Sequence, residues 1–331
     1  MTTSNGTIEP VAPGAADAAA LAAAALLLGL LLFVRFEQHT AWQRVAVDAA
    51  HVPIFAMLAA LGAWRLGRLR AHWSPGRRDL AVFATTQLVG VAVEFLQSIT
   101  GRPASLFDLG SNAAGAALGL ALHAAWQRRA APAVPGRSRA AAWLLGAAAV
   151  VALLYAAWRP VSAALAYHDR AARLPALAAF DSRRGLYFVE ARGLGSAVAG
   201  LPAPLARSPG ERALAIAYDP AHPPQLELRE PWPDWRGRGA LVLELAHEGD
   251  AELELVLRVM DAGHDWSVED RLNLPLAVPA AGRITLRVPL GTLREAPARR
   301  DMDLDRIANL LLFAPEPDGP GTLWVIRASL E

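Results

Sequence analysis

Long apolar runs dominate the first half of the chain, and strict alternation of apolar and polar residues dominates the second. Runs over residues 15–34, 45–64, 79–99, 107–126 and 141–158 each approach the twenty or so residues that cross a hydrocarbon layer, and so predict five membrane helices. Further along, the period falls to two: Leu241, Leu243 and Leu245; Leu253, Leu255, Leu257 and Val259; Ile284, Leu286, Val288 and Leu290. Turn signals separate these runs, with EGD at 248–250, DAGHD at 261–265 and PAAG at 279–282. RDMDLDRIANLLLF reads as a turn or short helix leading into a strand, and TLWVIRASL as a strand that closes the sheet. The expected fold is an α-helical membrane bundle of about five transmembrane helices followed by an all-β antiparallel, jelly-roll-like sandwich.

Composition supports a division of this kind. Of the 331 residues, 54% are hydrophobic and only 19% charged, too apolar for an ordinary soluble protein and too charged for membrane throughout. The expected layout is a disordered tail at 1–14, a four-helix membrane domain at 15–126 and a cytoplasmic loop at 127–140. The fifth membrane helix follows at 141–158, then an Ala-rich connector with some helical character at 159–178 and an extracytoplasmic β-sandwich at 179–331. The opening MTTSNGTIEPVAPG has no Lys or Arg, and no A-x-A site follows the first apolar run, so that run does not read as a cleavable signal. A net charge of +1 argues against a nucleic-acid partner, which needs a dense basic face. The absence of cysteine excludes disulfides, thiolate metal sites and thiol nucleophiles. No phosphate loop, G-x-S-x-G elbow or H-E-x-x-H helix occurs, and neither a metal nor a cofactor is expected.

Loop charge predicts orientation. Arg65, Arg68, Arg70, Arg77 and Arg78 follow the second run, and Arg128, Arg129, Arg137 and Arg139 follow the fourth, whereas the other two connections are arginine-poor. Both arginine-rich loops are therefore expected in the cytoplasm, with the N-terminus. The loop of Gly101 and Arg102, and everything after Trp158, is expected on the outer side of a bacterial inner membrane.

That topology gathers polar side chains in the outer leaflet: Asp48 and His51, Glu94 and Gln97, then Asp108, Ser111 and Asn112. Spacings of three and four put each group on one helix face. Ionisable groups at membrane depth are costly, so a cluster of them points to a polar pocket, with Arg102 at its rim. A carboxyl at Glu94 and an imidazole at His51 could exchange a proton, as acid–base chemistry requires. The bland alternative is that these groups serve as interhelical hydrogen bonds, with Asp108 capping the fourth helix. Asp108 and Asn112 alone favour that alternative, and the set with Glu94, Arg102 and His51 favours a functional site. Ser111, Gly115 and Gly119 form a small-residue ridge for close helix approach.

These residues also resemble the VanZ-like family of bacterial membrane proteins over roughly residues 20–126. The likeness lies in Asp48, His51 and Phe55, then in Glu94, Gln97, Gly101, Arg102, Asp108, Asn112 and Gly115; the family's basic residue after the first Asp is Ala49 here. The resemblance implies a bundle of four or five membrane helices in the cell envelope. Its founding member is linked to reduced susceptibility to a lipoglycopeptide antibiotic.

PDWRGRGALVLEL, DRLNLPLAV and VPLGTLREAP, the last lying before Arg300 and Met302, resemble galactose-binding-like jelly rolls found among carbohydrate-binding modules. The structural calcium of several such modules uses an Asp in the last strand, and WVIRASL has none. Candidate glycan contacts are Trp232, Trp235 and Trp266, through ring stacking on sugar faces, with core or rim packing as the competing role. His264, Asp265, Asp270, Arg271 and Asn273 form a polar group expected first to fix a loop by hydrogen bonds.

Two functions are expected from this reading. The first is a non-enzymatic envelope protein holding an amphiphile or lipid-linked glycan among membrane lipids, with lipoglycopeptide or polysaccharide as related ligands and a sandwich that contacts glycan or an envelope protein partner. The alternative is an intramembrane enzyme acting on a lipid headgroup or lipid-linked saccharide, with Glu94 and His51 catalytic and Arg102 holding a phosphate.

Overall fold

A computed structural model describes residues 15–33, 40–99, 105–130, 139–180 and 183–331. The expectations for the tail at 1–14, for Gly101 and Arg102, and for positions 131–138 of the loop lie outside those residues. The chain divides after Ala163 into two compact units.

The first unit is helical: α1 (Ala15–Phe33), α2 (Ala41–Leu69), α3 (Pro75–Ile99), α4 (Leu106–Ala130) and most of α5 (Arg139–Ala172). Helices run past the apolar segments because caps, not hydrophobicity, set their ends. Thr40 and Gln43 close a capping box, Thr40 Oγ1 accepting from Gln43 N at 3.2 Å and Gln43 Oε1 from Thr40 N at 2.9 Å. That starts α2 four residues before the apolar run at 45. Pro75 begins α3, where its missing N–H costs nothing, and Ser74 Oγ accepts from Arg77 N at 3.4 Å. The largest departure is α5. Residues 159–172, expected in a connector, continue the helix as one piece of 34 residues through Pro160. The sequence there, VSAALAYHDRAA, is alanine-rich and has no glycine, so nothing in it stops a helix.

Among the described residues, three helices are long and apolar enough to cross a membrane: Ala41–Leu69, Pro75–Ile99 and Ala142–Ala172. The apolar part of α1, Ala15–Gly29, is shorter, and α4 carries Asp108, Asn112 and His123 among its apolar residues. Three of the five expected spans therefore meet the criterion by themselves.

Packing in this unit relies on small side chains. Ala59, Ala63, Val82, Ala116 and Leu120 form one buried cluster, and Phe55 packs with Val93 in another. The glycine ridge of α4 faces α2: a Cβ at Gly115 would collide with the Val52 carbonyl, and one at Gly119 with the Ala56 carbonyl. Backbone-to-backbone approach of this kind requires glycine at both positions.

The second unit is a β-sandwich of two antiparallel sheets. One runs β3 (Gly195–Gly200), β4 (Arg212–Tyr218), β11 (Gly321–Leu330), β6 (Ala240–Glu248) and β9 (Arg283–Pro289), with β1 (Ala176–Ala179) also paired to β11. The other runs β2 (Val189–Arg192), β5 (Gln225–Arg229), β10 (Ile307–Phe313), β7 (Leu253–Asp261) and β8 (Leu272–Val278). The two-residue period fixes the faces. Leu214, Ile216, Leu241, Leu243, Leu245, Leu255, Leu257, Leu310 and Leu312 are buried in the core, while their sequence neighbours lie on the opposite face of each sheet, and in β6 that face is buried too.

Candidate functional site

Three helix segments build a buried polar cluster in the first unit. On α3 the buried positions Val82, Thr86, Gly90, Val93, Glu94 and Gln97 make one stripe at spacings of three and four, so Glu94 and Gln97 enter the bundle on its apolar face. On α4 the buried stripe includes Asp108, Ser111, Asn112 and Gly115, and on α2 it includes His51, Val52 and Phe55. His51, Glu94 and Asp108 are 1%, 4% and 7% exposed, and one donor atom from each lies within 4.8 Å of the other two.

Hydrogen bonds orient the set. His51 Nδ1 and Asn112 Oδ1 are 2.9 Å apart, and both residues are buried. The imidazole N–H donates to the amide oxygen, which leaves the Nε2 lone pair of His51 as its basic position. Glu94 Oε2 accepts the backbone N–H of Ser105 at 3.1 Å, and Glu94 Oε1 is buried with no hydrogen bond among the described residues.

Ser105 caps α4, its hydroxyl accepting from Asp108 N at 3.4 Å, and Asp108 stands in the first turn, where a carboxylate meets the positive end of the helix dipole. In a capping box the third helical residue would receive the cap's own N–H. Here Glu94 of the neighbouring helix receives it, so the start of α4 is tied to α3 through the acid that the cluster contains.

The structure takes Asp48 elsewhere. It pairs with Arg159 of α5, and the Arg159 guanidinium lies 3.9 Å from the centre of the Phe107 ring. Phe107 stacks on Tyr155 at 5.0 Å, and the Tyr155 hydroxyl donates to the Phe107 carbonyl at 3.1 Å. Neither Arg159 nor Ser105 was singled out in the sequence. Ser105 had a readable signal, a serine just before an apolar run. Arg159 had none, because its partner is 111 positions away.

The sandwich has one covered and one open outer face. On the first sheet Leu205 packs on Ala213, Ala246, Trp324 and Ile326, so the segment between β3 and β4 roofs that face. A charged clasp holds the roof: Arg283 donates to both oxygens of Glu211 at 2.9 Å and to the buried Glu244 at 2.7 Å. Burial alone would raise the Glu244 carboxyl, but hydrogen bonds from Arg283 and Arg327 outweigh it and hold the group below its usual range.

On the second sheet the outward residues stand in register and half-buried: Glu227 opposite Leu311, Leu311 opposite Arg258, and Arg258 opposite Asn273. Arg258 Nε donates to Asn273 Oδ1 at 2.8 Å, Asn309 Nδ2 donates to Glu227 Oε1 at 2.7 Å, and the Arg258 guanidinium covers the Phe313 ring at 5.0 Å.

The three tryptophans part company. Trp235 is fully buried, and its Nε1 donates to the Trp232 carbonyl at 2.6 Å, so its ring cannot stack on a sugar. That corrects its place among the glycan candidates. Trp232 is half-buried, 6.0 Å from the Arg170 guanidinium. Trp266 is 74% exposed at φ +68, a backbone region a bulky residue seldom adopts, with His264 edge-on at 4.4 Å.

The polar loop beside Trp266 is tightly bonded. His264 Nδ1 donates to the Asp261 carbonyl at 2.7 Å, and Asp265 N donates to Asp270 Oδ2 at 2.8 Å. Arg300 bridges the fully buried Asp261 to Asp270. Burial pushes the Asp261 carboxyl up, but hydrogen bonds from Arg300, Asp303 N and Gly263 N hold it below the usual carboxylate range. Arg271 and Asn273 line a shallow open cleft with Thr292 and Glu295.

The sandwich resembles carbohydrate-binding modules. A family 11 module from Clostridium thermocellum, in complex with a β-1,3-1,4-mixed-linked tetrasaccharide, matches at 14% identity and a TM-score of 0.31, covering 44% of this chain and 88% of that one. A family 28 module specific for non-crystalline cellulose matches at 10% identity and a TM-score of 0.32, covering 48% and 93%. A family 61 module in complex with β-1,4-galactotriose matches at 14% and 0.30, covering 48% and 95%. These values assign no ligand and no activity to the chain. No family model and no curated protein matches it.

Proposed function

We propose that the chain is an integral membrane protein of the bacterial cell envelope, of VanZ-like type. In this reading all five helices lie in the inner membrane, the N-terminus is cytoplasmic and the sandwich is periplasmic. The bundle holds an amphiphile or lipid-linked glycan in a polar pocket at the outer leaflet, and the sandwich recognises glycan or an envelope protein. Exposed apolar side chains support membrane insertion. Leu80, Leu88, Phe95, Trp143, Leu144 and Leu154 are each more than 60% exposed, and only 6% of the apolar window of α5 is buried. Apolar surface of that extent needs an apolar solvent.

The observation that carries the pocket is the convergence of His51, Glu94, Asp108 and Asn112 from three helices, all buried, inside a bundle whose outside is apolar. Gln97, buried on the Glu94 face, belongs to the same wall. On the sandwich, the open polar face of Glu227, Asn309, Arg258 and Asn273 is the surface best suited to sugar hydroxyls, since the opposite outer face is roofed. The test is mass spectrometry of lipids that co-purify with detergent-extracted protein. A recurrent polyprenyl glycan or single phospholipid class, lost in Glu94→Gln, is expected; bulk membrane composition in both proteins would end the reading.

The closeness of Glu94 to His51 supports one second reading, an enzyme acting on the same lipid-linked class by acid–base transfer. Glu94→Gln with ligand retained and turnover lost would favour it.

A further inference from the structure

We infer that His51, Glu94 and Asp108 form a binding site for a divalent first-row metal ion, Zn2+ or Mn2+, inside the helical unit. The three residues come from three helices and match no metal-ligand spacing along the chain. Their donor atoms nevertheless converge to within 4.8 Å of one another, all in buried residues.

Three observations point to a cation. Two carboxylates share one buried site, where added positive charge relieves their mutual repulsion and offsets lost hydration. Glu94 Oε1 is a buried acceptor with no hydrogen bond among the described residues, on a side chain 96% shielded from solvent, while Oε2 is already committed to Ser105 N. His51 is held as metal-ligating histidines are held. Its Nδ1–H donates to a side-chain carbonyl, Asn112 Oδ1 at 2.9 Å, which sets the tautomer with Nε2 as the electron-pair donor.

One imidazole nitrogen and two carboxylate oxygens suit Zn2+ or Mn2+ better than soft Cu(I), which favours sulfur, or Ca2+, which takes six or more oxygens. Bonds of about 2.1 Å draw ligand atoms to roughly 3.4 Å apart, so binding would tighten the cluster and pull α2, α3 and α4 together. Three protein ligands leave the ion at least one open position. The inference stands on the cluster itself and holds whatever lipid the pocket takes.

The test uses untagged full-length protein in detergent. Metal content after purification without chelator, followed by chelator treatment and titration with Zn2+, Mn2+ and Mg2+, should show about one Zn2+ or Mn2+ per chain and a melting temperature that falls on removal. Co2+ should bind the wild type with a visible ligand-field band, a readout that needs no variant. Glu94→Gln and Asp108→Asn should weaken Zn2+ by on the order of 100-fold or more, and Asn112→Ala by roughly 10- to 100-fold through loss of imidazole positioning. Metal-free wild type that takes up neither Zn2+, Mn2+ nor Co2+ stoichiometrically would overturn the inference. So would folded Glu94→Gln that binds as tightly as wild type, and a melting temperature that rises in that variant would identify a proton-sharing carboxyl pair instead.

Discussion

Asn112 Oδ1 lies 2.9 Å from His51 Nδ1, and the two side chains are 0% and 1% exposed, on helices 61 residues apart in sequence. Gly90 of α3 makes room for this bond, since a Cβ there would stand 2.7 Å from Asn112 Nδ2. Three helices thus share one hydrogen bond: one donates, one accepts, and the third lacks a side chain that would block it.

Truncating the acceptor should be costly. Asn112→Ala leaves a buried imidazole N–H without its partner, and a loss of about 1–3 kcal/mol is expected. Gly90→Ala should cost a similar amount by displacing the amide. Thermal unfolding in a single detergent measures both, and an unchanged midpoint in Asn112→Ala would show that the bond contributes nothing.

The α2–α4 crossing gives a sharper steric case. Gly115→Ala and Gly119→Ala each drive a methyl group into an α2 carbonyl, so each should destabilise by at least about 1–3 kcal/mol. Gly146 of α5 has nothing within 4 Å of its would-be Cβ. Gly146→Ala should be neutral or stabilising by about 0.5–1 kcal/mol, because alanine restricts the unfolded chain without strain. Equal losses at all three sites would contradict the close approach.

How much of this was legible follows from the range over which each signal acts. The stripes of Glu94 with Gln97 and of Asp108 with Asn112 were legible because helical spacing is local. So were the strands, through the alternation of Leu241 to Leu245 and of Leu253 to Val259. The glycine ridge was legible as a ridge, but not as facing α2. The pairing of Asp48 with Arg159 was not legible, nor was Ser105 handing its N–H to Glu94, because both depend on which helices become neighbours. Trp235 illustrates the same limit. Its neighbours in PWPDWRG are polar and loop-like, yet the ring is fully buried, since burial in a loop is decided by what the loop folds over.

The ion pair of Asp48 and Arg159 can be isolated by a double-mutant cycle. Both side chains are partly exposed, at 21% and 42%. Partial burial leaves screening by water incomplete, so a coupling of about 0.5–1 kcal/mol is expected between Asp48→Asn and Arg159→Gln. A coupling of zero in denaturant titration would reduce the pair to a surface contact.

Acid should weaken the sandwich in two stages. Burial lowers the pKa of His247, whose Nε2 lies 2.6 Å from the Tyr218 hydroxyl. A histidine kept neutral when folded but protonated near pH 6.5 when unfolded stabilises above that pH, and its contribution falls as pH drops below about 6.5 towards the depressed folded value. Asp261 is likewise depressed, through Arg300 and two backbone N–H groups that outweigh burial. Its contribution is full above about pH 4, the ordinary aspartate range, and is lost as pH falls through its lower folded value. Tryptophan fluorescence against pH should show both stages. His247→Gln should remove the first, and Asp261→Asn should cost about 3 kcal/mol at neutral pH by leaving Arg300 without its buried partner.

The open sheet face and Trp266 make competing predictions for glycan binding. If sugar lies across the second sheet, Glu227→Ala and Arg258→Ala remove hydrogen-bonding groups from the middle of the surface, and each should cost about 1–2 kcal/mol, roughly tenfold in affinity. Trp266→Ala should then leave binding within about twofold, since its ring projects from a loop beside the cleft rather than from the sheet. Affinity electrophoresis or calorimetry against a panel of soluble β-glucans and galactans, with full-length protein in detergent, decides between them. Binding lost in Trp266→Ala but kept in Glu227→Ala would move the glycan surface to the loop. Absence of binding to every polysaccharide would leave protein recognition as the role of the sandwich.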